Sequence, residues 1–411
     1  MSDARAKRCV LAFSGGLDTS VCAAWLRAEQ GFDVVALTVD VGQGRELDGV
    51  GVRAEAAGVA DLVVLDAREQ FVTDFCWPAL KASALYEGRY PLVSALSRPL
   101  IARELVRVAR EMGATTVAHG CTGKGNDQVR FETSIAALAP DLEIHAPIRE
   151  LGLQRDQAIA YAQEHGIPVT VSADKPYSID ENLWGRAIES GVLEDPWTEP
   201  PSKDVYELTG QLDGGPEAPD DVVVAFERGV PVSLDGSALE PADLVARMQS
   251  LAGRQGVGRI DMVENRLVGI KSREVYEVPA AAALVAAHDD LERITLERDV
   301  ARFKRSIADR YADLVYNGLW FAPLRSALDA FVDETQAFVT GEVNLRLWRG
   351  SAQPIGRRSP YGLYDTSLAT YGSAEDAFRH SDAAGFIRLW SLPLRVWAER
   401  QGPGRGHGRD G

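Results

Sequence analysis

The chain has 411 residues, 45% hydrophobic and 25% charged, which suits a folded protein of two or three domains. Its 44 basic and 60 acidic residues leave a net charge of −16, so nucleic acid is not an expected partner: phosphate contact needs a basic face. No apolar run approaches the ~18 residues that cross a bilayer, residues 1–8 lack the apolar stretch of a secretory signal, and Cys9, Cys22, Cys76 and Cys121 stand at neither metal nor disulfide spacing; a cytoplasmic protein with no membrane partner is expected.

Short Val-rich apolar runs at 9–13, 34–39, 62–65, 116–119 and 168–171 predict strands buried on both faces of a parallel sheet. Helical patterns fall between them. One begins near Thr19. Another covers 99–112, with Pro99 at a first helical position and Gly113 as its stop; Leu100, Ile101, Leu105, Val108 and Met112 share one face. A further helix, 155–165, closes at Gly166. This alternation predicts a doubly wound parallel-sheet α/β domain, suited to a nucleotide, over 1–172.

Residues 174–220, rich in Pro, Asp, Glu and Gly, predict a surface excursion between domains. From Val222 the pattern is α+β: a hairpin of 222–226 and 230–234 about Glu227-Arg228-Gly229, helices between 241 and 339, and a strand pair near 342–348. The expected second domain is 173–385, followed by an apolar segment at 386–401. The tail 402–411 combines Gly and charge without an apolar anchor and is expected to be disordered.

Ser14-Gly15-Gly16-Leu17-Asp18-Thr19-Ser20 joins the first predicted strand to the first helix. Ligands of open α/β sheets bind beyond the carboxyl ends of strands. Paired glycines admit a phosphate close to the backbone, and the helix N-terminus offers free N–H groups. Asp18 repels phosphate directly, so its expected task is to orient magnesium-bound pyrophosphate or to cap the helix. The spacing is neither a Walker A loop nor a dinucleotide fingerprint. It resembles the loop of the N-type ATP pyrophosphatases.

A second polar loop follows the fourth strand: His119-Gly120-Cys121-Thr122-Gly123-Lys124-Gly125-Asn126-Asp127-Gln128-Val129-Arg130-Phe131-Glu132. Lys124 suits phosphate. Thr122, Asn126 and Asp127 suit the ammonium and carboxylate of an amino acid, and Arg130 a second carboxylate. This stretch resembles the signature of the argininosuccinate synthase family. Further matching segments, in the family's order, are Ala84-Leu85-Tyr86-Glu87-Gly88-Arg89-Tyr90, Arg98-Pro99-Leu100-Ile101-Ala102, Asp180-Glu181-Asn182-Leu183-Trp184, 256–265 and Lys271-Ser272-Arg273.

The resemblance implies a carbon–nitrogen ligase of arginine biosynthesis. It joins L-citrulline to L-aspartate through a citrullyl-adenylate, consuming ATP with Mg2+ and releasing AMP and pyrophosphate. It also implies a homotetramer, the second domain serving synthesis and multimerisation and the C-terminal segment crossing between subunits. ATP is expected on Ala12, Phe13, Ser14, Gly15, Gly16, Leu17, Asp18, Thr19, Ser20, Val39 and Gly120. Aspartate is expected on Thr122, Asn126 and Asp127, and citrulline on Tyr90, Ser94, Ala95, Asn126, Arg130, Ser178, Ala187, Glu264 and Tyr276. Asp127 is the candidate base for the aspartate amine. The sequence departs from the family at Ala187 and Ala95, where relatives carry serine. A tRNA-thiolating enzyme on the same fold would need catalytic cysteines and a basic face. A non-catalytic adenine-nucleotide sensor would need only the first loop.

Overall fold

The computed structural model describes residues 7–168, 177–210, 215–372 and 376–402. Five parallel strands, β1 (Arg8–Ala12), β2 (Asp33–Asp40), β3 (Asp61–Asp66), β4 (Thr116–Ala118) and β5 (Glu143–His145), form a sheet of order β3-β2-β1-β4-β5. Their apolar runs are continuous because both faces are covered. Val10, Val35 and Leu37 point into one core, while Cys9, Leu11, Val34 and Ala36 point into the other. The first four predicted strands are present. Most of the expected strand at 168–171 lies outside the described residues. The fifth strand is instead Glu143–His145, whose single apolar Ile144 between polar neighbours gives no readable run.

The helix expected at 99–112 is longer, Val93–Glu111, and Pro99 lies inside it. Proline carries no N–H, so one helical hydrogen bond is lost there. The helix tolerates this because its first turns are buried, with Val93, Ser94, Ala95, Leu96 and Ser97 all enclosed. The chain enters the helix through Leu92 in the left-handed region and leaves through Gly113 at φ +64°. Ser94 and Ala95 are therefore helical.

The segment read as a surface excursion contains a packed hairpin, β6 (Ser178–Asn182) and β7 (Gly185–Glu189). At its turn Trp184 is 1% exposed, and its indole N–H donates to the Pro91 carbonyl at 2.9 Å. Asn182 donates to the Val93 carbonyl at 2.9 Å, and the Leu183 N–H to the Val41 carbonyl at 2.9 Å. These bonds seat the hairpin on the parallel-sheet half of the chain. Its polar composition misleads because much of its polarity faces a cleft or a buried partner.

The remaining strands are β8 (Asp220–Glu227), β9 (Val230–Leu234), β10 (Ser237–Ala238), β11 (Arg259–Asn265), β12 (Lys271–Glu277), β13 (Gly341–Trp348) and β14 (Ser351–Arg358). They build two antiparallel sheets, β10-β9-β8-β13-β14 and β11-β12-β7-β6. The hairpin expected about Arg228-Gly229 is present, both residues having positive φ (+49° and +78°). The helices Pro279–Thr295 and Arg298–Tyr316 join β12 to the later strands. The described residues fall into two compact units, one up to Tyr361 and one from Gly362. The second contains the helices His380–Trp390 and Leu392–Gln401, on which no residue is buried. Among the described residues no helix is long and apolar enough to cross a membrane.

Gly258 opens β11 at φ +94°, with its carbonyl accepting from the Val278 N–H at 2.8 Å. A Cβ there would lie 2.6 Å from Val278 and Pro279 backbone atoms. Gly258→Ala is expected to cost about 2 kcal/mol or more, through strain and backbone overlap. A lowered urea midpoint checks this, and an unchanged midpoint contradicts it.

Candidate functional site

The order of the parallel sheet reverses at β1, which has β2 on one side and β4 on the other. A crevice opens beyond the carboxyl ends of strands at such a point. Here it is a cavity of about 880 Å³, bounded by both predicted loops, by β6 and β7, and by residues of β11 and β12.

The first wall is the loop after β1. Gly15 turns the chain at φ +76°, and a Cβ on it would meet the Arg53 guanidinium at 2.5 Å. The Ser14 hydroxyl accepts from the Gly16 N–H at 3.2 Å and lies 3.3 Å from the Thr19 hydroxyl. The helix Leu17–Ala28 then begins with no side-chain cap. Asp18 therefore does not cap it. Its carboxyl, raised by burial against the opposing pull of Arg155, borders the cavity. Gly120 closes against this helix start, leaving a Cβ only 2.9 Å from Thr19.

The second wall is the loop after β4. Gln128 donates to the Gly123 and Gly125 carbonyls, at 2.6 and 3.2 Å, and so gathers its glycines. His119 Nδ1 accepts the Cys121 N–H at 3.3 Å, which leaves the Nε2 proton for Glu132 at 3.1 Å. Lys124 is exposed and lies off the cavity wall. The helix Asp127–Leu138 carries the next side chains inward. Asp127 receives Arg98 at 2.8 Å and Arg130 at 2.9 Å, and Arg98 also reaches Asp180 on β6 at 2.8 Å. Burial would raise the Asp127 carboxyl, but the two guanidiniums outweigh it and hold the group below its ordinary range.

The floor is aromatic and acidic. Tyr90 stacks on Tyr276 at 4.1 Å between centroids. Tyr276 and Tyr316 donate to the two oxygens of Glu264, at 2.7 and 2.5 Å. Burial raises Glu264 despite both bonds. Beside it, burial and the charges of Glu189 and Glu264 push Glu274 up to about 8. Arg266 spans this group, bonding Glu189 and, at 2.6 Å, Glu274.

Charge is thus divided along the cavity. Arg53 and Arg155 flank the loop after β1, while carboxylates collect near β7, β11 and β12. The first end suits a polyanion, and the second suits ammonium or ureido N–H groups.

Of the predicted site residues, Ser20 and Ala95 do not border the cavity; both are buried behind it. All the others border it, Val39, Thr122, Ser178 and Ala187 included. Ala187 pairs with Tyr276 on one side and Asp180 on the other, both of which also border the cavity. Sequence reading did not single out Arg53, Arg155, Glu189, Arg266, Glu274 or Tyr316. Arg98 and Asp180 were visible only as parts of matching segments. Isolated side chains scattered over helices, strands and turns carry no local signal of a shared cavity.

Two family models cover nearly the whole chain: the arginosuccinate synthase N-terminal HUP domain at residues 8–168, and the arginosuccinate synthase C-terminal domain at residues 177–397. The chain is 57% identical over 390 residues to the argininosuccinate synthase of Bacillus licheniformis, covering 95% of this chain and 96% of the relative. It is 56% identical over 396 residues to that of Gloeobacter violaceus, covering 96% and 99%. With the phosphate-type loop and the second polar loop facing one cavity, these matches place the chain in the argininosuccinate synthase family.

Proposed function

We propose that this cavity joins L-citrulline to L-aspartate at the expense of ATP, giving argininosuccinate, AMP and pyrophosphate. The observation that carries the reading is that one cavity holds both a phosphate-type loop and the Asp127, Arg130 and Glu264 group. ATP lies along residues 12–19 and Gly120, its adenine side near Val39. Aspartate is held by Thr122, Asn126 and Asp127. Citrulline is held by Tyr90, Ser94, Asn126, Arg130, Ser178, Glu264 and Tyr276. Ser20 and Ala95 support these walls from behind.

The ureido carbon of citrulline has a poor leaving group. Its oxygen attacks the α-phosphorus, pyrophosphate departs, and that oxygen now leaves readily as part of AMP. The aspartate amine then attacks the same carbon. The protein's share is placement and charge neutralisation rather than covalent chemistry. Arg53 and Arg155 offset phosphate charge. Asp127 is assigned to holding Arg98 and Arg130 and to orienting aspartate; a carboxylate bound to two guanidiniums is a weak base. Mg2+ fits with the nucleotide: it takes oxygen ligands, often one carboxylate plus phosphates, and Asp18 is a half-buried carboxylate at the phosphate loop. It would there neutralise charge on the phosphates.

We assign the protein to the cytoplasm and, as a homotetramer, to self-association through the C-terminal unit. That unit exposes Phe386, Ile387, Leu389, Trp390, Leu394 and Trp397, with Leu389 and Trp390 each 75% exposed. Such a concentration of apolar surface calls for a partner.

Three outcomes are expected. Pyrophosphate and AMP form in equal amounts when both amino acids are present, and neither forms from ATP alone. A requirement for RNA, or ATP binding without turnover, would overturn the reading. Arg130→Ala lowers citrulline affinity by ~2–5 kcal/mol, as for loss of a buried charge partner, and leaves ATP affinity within about twofold, read by calorimetry. Equal losses for both ligands would contradict the assignment. Truncation before Phe386 lowers the mass measured by light scattering, and an unchanged assembly would refute the interface.

A further inference from the structure

Tyr316 does not border the cavity, yet it holds three side chains that do. It ends the helix Arg298–Tyr316 and is 1% exposed. Its phenol accepts from Asn126 Nδ2 at 2.8 Å and donates to Glu264 Oε1 at 2.5 Å. Its carbonyl accepts from Arg130 Nε at 3.0 Å. The ring lies flat on Tyr86, 3.5 Å between centroids, and the Arg130 guanidinium stands 4.9 Å from its centre. The direction of the chain is fixed. Asn126 Oδ1 accepts the Leu267 N–H at 3.0 Å, so the amide must present Nδ2 to the phenol. The phenolic proton then belongs to Glu264, whose other oxygen is bonded by Tyr276.

We propose that Tyr316 is the positioning residue that couples the two amino-acid subsites, its single hydroxyl ordering the Asn126 amide and the Glu264 carboxylate together. This rests on the assignment of Asn126 to both amino acids and of Glu264 to citrulline. Coupling of this kind is a property of the pair, because each partner holds the phenol in the orientation the other needs.

The groups facing Glu264 are Tyr276 and Glu274 on β12, Tyr86 and Tyr90 ahead of the long helix, Arg130, Arg266 and Tyr316. Burial raises its carboxyl, and the Tyr316 and Tyr276 bonds draw it back. Without the Tyr316 hydroxyl the carboxylate has one donor fewer and protonates at higher pH. The acid limb of kcat/KM for citrulline must then move up.

The test uses the full-length enzyme. Tyr316→Phe keeps the ring on Tyr86 and is expected to raise KM for citrulline and for aspartate by roughly tenfold each, to leave KM for ATP within about twofold, and to shift the acid limb upward. Tyr276→Phe removes the other donor to Glu264 but has no bond to Asn126, so it raises KM for citrulline alone. Site-specific 3-fluorotyrosine at position 316 keeps every bond and strengthens the donor, so it moves the acid limb downward; this arm stands even if the Phe variant folds poorly. Changes in Tyr316→Phe confined to one amino acid, or spread equally to ATP, would overturn the proposal, as would an acid limb that neither replacement moves. Glu264→Gln in the same assay separates the two levels. If it leaves KM for citrulline unchanged, the assignment of Glu264 fails. If it raises that KM while Tyr316→Phe is silent, only the coupling fails.

Discussion

The carboxylate of Asp127 lies between the guanidiniums of Arg98 and Arg130, and most of the cleft depends on that arrangement. Arg130 is 4% exposed, so its charge has almost no water to face. Isolated buried charges are costly, and breaking a buried pair by removing one partner typically costs ~3–5 kcal/mol. With Asp127 present the three charges become a lattice. Arg98 extends it to Asp180 on β6, and Arg130 extends it to the Tyr316 carbonyl. The loop after β4, the hairpin β6–β7 and the helix Arg298–Tyr316 are thereby tied at one point, although they lie far apart in the chain.

That tie explains how a sheet built for a nucleotide comes to serve a second chemistry. The parallel sheet supplies a switch point and a glycine turn, which suffice for phosphates. The carboxyl groups and aromatic rings at the other end come from β7, β11 and β12, with Tyr90 from ahead of the long helix and Asn126 and Asp127 from the loop after β4. Trp184 and Asn182 fix the hairpin to the start of the long helix, so the two halves of the cavity share one frame. The acidic end would repel triphosphate, and the arginines beside the first loop attract it. The charge of Arg53 and Arg155 thus adds to the glycine turn in favouring a polyanion at the first loop.

What could be read in advance was what is local. The turn Ser14–Thr19 carries its glycines and hydroxyls in one stretch, and the loop 119–132 does likewise, so both were legible. The family resemblance carried Glu264 and Tyr276, which have no local signal. The start of the long helix was misplaced because Pro99 fits a first turn better than an interior one; only burial of Val93–Ser97 makes the interior position tolerable. The segment 174–220 was misjudged because Asp180, Glu181 and Arg186 look solvated, whereas they face the cavity or a buried partner. Tyr316 was invisible for another reason. It lies 52 residues from Glu264 and 190 from Asn126, and a tyrosine ending an amphipathic helix reads as core.

We propose that the cleft activates the ureido oxygen of citrulline and holds aspartate intact as the nucleophile. In the proposed assignment, Asp127, Asn126 and Thr122 hold an unreacted amino acid, and the residues around Glu264 hold the group that is adenylated. A single turnover with ¹⁸O in the ureido group, followed by mass spectrometry of AMP, tests this directly. One labelled oxygen is expected on the AMP phosphate for each argininosuccinate formed. Product formation with unlabelled AMP, or label delivered instead from the aspartate carboxylate, would contradict it.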